Sequence, residues 1–230
     1  MSTARWMLGL LAMGLFAPVV NGDEPAAKLP KVVLIGDSIR LSYTPEVVRQ
    51  LKGKAVIVSP SANGQDSNNL LKHLAEWVIR EQPDVVHFNC GIHDTKKFTK
   101  TGTFQVSPED YEKNLRAIVQ RIRKETSATV CFATSTPILD DRAAAARAGR
   151  DYQLLGNSIE QYNAIAIQVM SELNVPVDDL HSAVTTSRPP LAVEALLGSD
   201  GVHFTAAGVE LLGQQVAGFL QEQLVTLDRD

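Results

Sequence analysis

Short, wholly apolar runs alternate with stretches whose apolar residues recur every three or four positions, and this alternation sets the expected fold. Residues 32–35, 55–58, 85–89 and 129–133 each predict a buried strand, and a fifth, shorter strand is expected around Val175-Pro176-Val177. After the first strand, Thr44 predicts a helix cap with Pro45 at the first position and Gly53 as the stop. A second helix over about 68–81 buries Leu70, Leu71, Leu74, Trp77 and Val78. Ser107-Pro108-Glu109-Asp110 predicts a third helix start, followed by Leu115, Ile118, Val119 and Ile122 on the inner face. An Ala/Arg-rich segment leads to a fourth helix carrying Ile159, Tyr162, Ile165, Ala166 and Val169. Residues 185–199 form an apolar, Pro-containing connection, and the last helix starts near Thr205.

Strands alternating with helices of this length predict an α/β fold, a three-layer α/β/α sandwich around a mostly parallel five-stranded sheet. Ligands of such sheets bind at the carboxyl ends of the strands. Ser38, Gly64, Asn89, His93 and Thr134 to Thr136 all follow such ends, so one rim collects the candidate chemistry. There are no internal repeats, and 230 residues suit one domain.

The first stretch is set apart from that domain. Arg5 precedes an apolar run from Trp6 to Val20, and Asn21-Gly22 ends it, so residues 1–22 are expected to be a cleaved secretory signal. An uncleaved anchor is the alternative, since the run approaches spanning length. Residues 23–30 then form a polar linker and residues 31–230 the domain. The expected location is secreted or periplasmic, with no stable membrane span after cleavage.

The whole chain carries a formal charge of −4, and residues 1–22 contribute only Arg5 to it. No Lys/Arg-rich run appears, so nucleic acid is not an expected partner. Cys90 and Cys131 read as small buried hydrophobes, a bridge between them being the alternative open to an exported chain. No CxxC or His/Cys cluster suggests a metal. The first strand exits through Gly36-Asp37-Ser38-Ile39-Arg40, without GxGxxG or a P-loop lysine, and no cofactor is expected.

Two motifs remain, at opposite ends of the chain. Asp200-Gly201-Val202-His203 places a carboxylate and an imidazole on one turn, the acid able to orient the ring. Ser38, after the first strand, supplies a hydroxyl that becomes nucleophilic only when such a base takes its proton. His73 and His87 read as structural, and His181 as a loop histidine.

Together these residues resemble the GDSL-type, or SGNH, serine hydrolases. Gly36-Asp37-Ser38 matches the family's GDS block, and Asp200-Gly201-Val202-His203-Phe204 with Ala206-Ala207-Gly208 matches its DxxH block and terminal helix. The resemblance spans roughly Lys31 to Leu224 and implies a flavodoxin-like fold. It implies that Ser38 attacks, His203 takes the proton and Asp200 orients the imidazolium. The oxyanion donors it implies are the Ser38 N–H and the N–H of Gly64, within Ser61-Ala62-Asn63-Gly64-Gln65. The third block departs from the pattern: Gly91-Ile92-His93-Asp94 has His93 where the family has an asparagine donor. A neutral imidazole donates one N–H, with Asp94 available to hold the other nitrogen. Asn89 is the second candidate for that role.

The expected function is an exported serine esterase of small acyl esters, with an acetylated carbohydrate the first substrate suggested by the resemblance and by export. A lipase or thioesterase of the same fold is the nearest rival, and Leu191 to Leu197 could line its groove or simply pack in the core. A non-catalytic carbohydrate-binding or structural domain is the reading from a different class.

Overall fold

The computed structural model describes Met1, residues 28–188 and residues 192–227. The expected signal segment and most of the linker lie outside the described residues. The elements in chain order are β1 (Lys31–Ile35), α1 (Ser38–Gln50), β2 (Val56–Val58), α2 (Ser67–Trp77), β3 (Val85–Phe88), β4 (Lys97–Phe98), α3 (Pro108–Glu125) and β5 (Thr129–Ala133). They continue with α4 (Asp140–Ala146), β6 (Tyr152–Gln153), α5 (Gly156–Glu172), β7 (Val177–Asp178), α6 (Leu180–Thr185), α7 (Val193–Leu196) and α8 (Ala206–Leu227).

Five strands form one parallel sheet in the order β2-β1-β3-β5-β7. That is the doubly wound order in which the chain reverses direction between β1 and β3. Ile35 pairs with Phe88 at the carboxyl ends of these two strands, so the turns beginning at Gly36 and Asn89 open side by side. The strands are apolar on both sides because helices cover both. Val32, Leu34, Val85 and Cys131 face α1 and α8, while Val33, Ile35, Val86 and Phe88 face α2 and α3. Cys90 and Cys131 are both buried and unbridged, in cores on opposite faces of the sheet.

The helix signals held where their chemistry was local. Ser107 Oγ accepts from Asp110 N–H at 3.1 Å to cap α3, with Pro108 at its first turn and Leu115, Ile118, Val119 and Ile122 buried. The start of α1 differs from the expectation: it begins at Ser38, and Pro45 lies inside it. Asp37 caps the helix, its Oδ1 accepting from Ile39 N–H at 2.9 Å, and this outweighs the signal from Thr44-Pro45. α2 stops at Trp77, followed by a 3₁₀ turn over Ile79–Glu81. β7 pairs at residues 177–178, two positions later than the expected strand began. Pro176 has no N–H to offer the ladder, and only its carbonyl joins, accepting from Phe132 N–H. The β4–β6 antiparallel ribbon was not expected, since two-residue strands carry no readable period. Leu196 and Leu197 are buried in the core, so this part of the 191–197 segment packs inward; Leu191 lies outside the described residues.

One charged side chain belongs to the core. Arg40 is 1% exposed, and its guanidinium donates to Ser59 Oγ, Pro60 O, Gly36 O and Ala62 O at 2.7–3.0 Å. It ties the turn after β1 to the loop after β2, and burial lowers its pKa from the usual arginine value. Four oxygens around one planar fork make the site intolerant of other donors. Arg40→Leu should cost about 3 kcal/mol, because several buried acceptors lose their donor at once. Arg40→Lys should recover only part of it. A urea midpoint unchanged in Arg40→Leu would show that these carbonyls find other partners.

Candidate active site

Ser38 is the first residue of α1, so its side chain leaves the helix at the carboxyl rim of the sheet. Its N–H has no acceptor within the helix, as for any residue in a first turn. His203 reaches the same place from the turn before α8. His203 Nε2 lies 2.9 Å from Ser38 Oγ, and His203 Nδ1 lies 2.5 Å from Asp200 Oδ2. Ser38, His203 and Asp200 therefore form one continuous hydrogen-bonded line. Asp200 is fixed further, since its Oδ1 accepts from the Val202 and His203 N–H groups at 3.0 and 2.9 Å. Partial burial pushes this carboxyl up, but the His203 and Val202 hydrogen bonds outweigh burial and hold it below the ordinary carboxylate range.

The turn that makes this possible is pinned at Gly201. Its φ is +68°, and a Cβ there would meet Leu139 O at 2.5 Å and Ala143 N at 2.8 Å. Leu139 N–H donates to Gly201 O, and Arg147 Nη1 donates to Asp200 O at 3.0 Å. The segment through α4 thus braces the Asp200–His203 turn from behind.

The expected oxyanion donors divide. Gly64 N–H donates to Gly36 O at 2.8 Å, so in this conformation it is spent on the backbone. A Cβ at Gly64 would lie 2.6 Å from the same oxygen, so the missing side chain serves this close approach. Asn89 is 4% exposed and its amide presses against Gly36, outside the pocket that holds Ser38. His93 does line that pocket, together with Ser38, Asn63 and His203. Burial, and next the Lys96 cation, lower the pKa of His93, which favours the neutral ring with a single N–H.

Asp94 does not hold His93. It is fully buried, and its Oδ1 accepts from Ser67 N–H at 2.9 Å, joining the β3 exit to the start of α2. Other residues of the pocket were not foreseen. Asn63 Oδ1 accepts from Gln65 N–H at 2.8 Å, which leaves the amide nitrogen as its free end. Gln65 takes φ +56° to make that turn. The Asn63-Gly64 pair was a readable turn signal, but its side-chain direction was not. Lys96, Arg147, Tyr152 and Leu154 come from the β4–β6 ribbon and its approaches, for which the sequence had no period. The pocket encloses about 250 Å³, below the usual range for drug-sized ligands, about 300–1,000 Å³.

Residues 34–211 match the model of the GDSL-like lipase/acylhydrolase family. Among solved structures, a lipase/acylhydrolase from Enterococcus faecalis is 23% identical with a TM-score of 0.69, covering 85% of this chain and 97% of its own. An acetylxylan esterase from Geobacillus stearothermophilus is 22% identical with a TM-score of 0.64, over 81% of this chain and 92% of its own. A GDSL-like lipase from Bacteroides thetaiotaomicron is 17% identical at a TM-score of 0.64, over 86% and 91%. These three share the fold. No curated protein matches the sequence.

Burial raises the Asp94 pKa from 3.8 to about 7. From roughly pH 4 to 7 the folded protein then keeps a proton that the unfolded chain has lost. Stability therefore falls as pH rises through that window, by up to ~1.4 kcal/mol per pH unit, and levels off above it. Asp94→Asn removes this titration while keeping an acceptor for Ser67 N–H. The melting temperature of the variant minus that of the wild type should grow from pH 4 to 7. A difference constant across the window would place the buried proton elsewhere.

Proposed function

The chain belongs to the GDSL-like lipase/acylhydrolase family, and from that premise we propose that it is a serine esterase of small acyl esters, acetyl esters of carbohydrates first among them. The observation that carries this reading is the Ser38–His203–Asp200 line, at 2.9 and 2.5 Å. His203 takes the Ser38 proton as Oγ attacks the ester carbonyl, and Asp200 stabilises the imidazolium that forms. The imidazolium then gives that proton to the departing alcohol. Water attacks the acyl-enzyme by the same route in reverse, His203 acting again as base. The oxyanion meets the Ser38 N–H and the pocket donors His93 and Asn63.

The small acyl group is supported by the size of the pocket and by Leu196 and Leu197, which pack in the core instead of opening an apolar groove. The acetylated carbohydrate is supported by the fold shared with acetylxylan esterases. Export remains part of the proposal, on the apolar run from Trp6 to Val20. Processing at Gly22 is checked by the amino-terminal sequence of the mature protein.

A fluorophosphonate probe should label Ser38, and folded Ser38→Ala should be neither labelled nor active on acetyl esters. His203→Ala should cost about as much as Ser38→Ala, and the double variant little more, because the residues act as a unit. Asp200→Asn should cost less, since the imidazole remains. Labelling at another residue, or losses that multiply in the double variant, would sink the triad.

His93→Ala should lower kcat by ~10²-fold with KM little changed, as for a donor engaged mainly in the transition state. His93→Asn, which restores the family's amide, should recover part of that. A folded His93→Ala protein with unchanged kcat would pass the role to Asn63.

A further inference from the structure

The charge of the pocket is opposite to that of the protein. The whole chain is net negative, yet the residues lining the Ser38 pocket include Lys96 and Arg147 and no carboxylate. Neither cation forms a salt bridge among the described residues. Burial first, and then the Lys96 cation, lower the pKa of His93 against the opposing pull of Asp37 and Asp66, so Lys96 is felt inside the pocket. A pocket lined by two cations and no carboxylate favours an anionic ligand.

We propose that the pocket selects an acyl ester whose alcohol part carries a carboxylate, with Arg147 and Lys96 as the specificity-determining residues; this rests on the esterase reading above. Arg147 fixes which part of the substrate bears the charge. Its Nη1 is anchored to Asp200 O and Ala143 O at 3.0 and 3.2 Å, behind the turn that carries His203. His203 gives its proton to the departing alcohol, and we place Arg147, tied to the turn that carries His203, on the leaving-group side. The rest of its planar fork suits a carboxylate, which it can engage through two parallel hydrogen bonds.

Lys96 lines the same pocket. Its N–H donates to His93 O at 3.3 Å, and its ammonium lies 5.4 Å from the centre of the Tyr152 ring. That contact keeps the cation over the pocket without neutralising it. Ile92, Tyr152, Leu154 and Val202 add apolar surface to the same pocket. An acetylated acidic sugar fits this chemistry: a small acyl group, an apolar ring face and one carboxylate. A neutral acetylated sugar of the same size leaves both cations without a counter-ion.

The test compares acetylated methyl glucuronoside with acetylated methyl glucoside, which differ only in a carboxylate against a hydroxymethyl group. Wild type should favour the acid in kcat/KM by about tenfold or more, the worth of a charge-assisted hydrogen bond. The ratio should shrink as salt is raised. Lys96→Gln and Arg147→Gln should each reduce the ratio several-fold. Taking the ratio cancels any damage to the triad, which both esters use alike.

Calorimetry on Ser38→Ala, which cannot turn over, should show the acid binding about tenfold tighter than the neutral ester. If wild type hydrolyses neither ester while Ser38→Ala keeps this preference, the esterase reading fails and the anion site stands. Hydrolysis of both esters at equal kcat/KM, with equal binding, overturns the anion site and leaves the esterase reading intact. A preference that survives both Gln substitutions would also overturn the assignment to Lys96 and Arg147.

Discussion

Ser38, which opens α1, and His203, 165 residues away in the turn before α8, can share a proton only if these two helices are locked together, and they are packed on each other over one face of the sheet. Tyr43, Val47 and Leu51 of the α1 side and Leu212, Val216 and Leu220 of α8 have no exposed surface. Each such side chain contributes ~1.5–3 kcal/mol relative to its exposed state. The seam therefore holds the hydroxyl and the imidazole in register by burial that has nothing to do with their chemistry. Ser38 and His203 can then remain partly open to solvent, His203 with about half its side chain exposed, without losing their mutual geometry.

Polar groups refine what the seam sets coarsely. Arg40 fixes the β1 exit against the loop that carries Asn63, and the α4 segment braces the turn that carries Asp200. Asp94 ties the β3 exit to α2. Each of these buried polar side chains costs desolvation, offset by hydrogen bonds to backbone. Three segments distant in sequence are thereby held at one rim, where the parallel sheet changes direction between β1 and β3. His87 is buried too, 3.1 Å from Asp178, but faces α8 through Phe219 and takes no part in the rim.

Most of this frame was legible because parallel strands buried on both faces read as continuous apolar runs. The helices of the second face were legible because their apolar positions recur at helical spacing. Ser38, Asp200 and His203 were legible because acid and imidazole are three residues apart and the serine follows the first strand. What stayed hidden was decided by side-chain direction. Two starting signals competed around Asp37 and Pro45, and only geometry shows that the aspartate prevails. Asn89 and His93 are both near the end of β3, but Asn89 turns under Gly36 while His93 lines the Ser38 pocket. The sequence could not separate these because a strand end has no fixed side-chain period. Gly64 was legible as a necessary glycine, although its N–H goes to Gly36 O.

The substitution of histidine for the family's asparagine acquires a physical sense from its surroundings. An asparagine amide donates at every pH, whereas an imidazole donates in a fixed, neutral form only while its pKa lies below the working pH. Burial and the Lys96 cation both push His93 in that direction. Asp37 and Asp66 pull the other way, and the net direction is still toward the neutral ring with its single N–H. Under the proposals above, Lys96 bears on two charges of the reaction: the oxyanion, through the ionisation state of His93, and an acidic substrate, directly. Such coupling would be lost with an asparagine at position 93, which does not titrate. What the structure itself joins is His93 and Lys96, which line one pocket, the cation helping burial to keep the ring neutral.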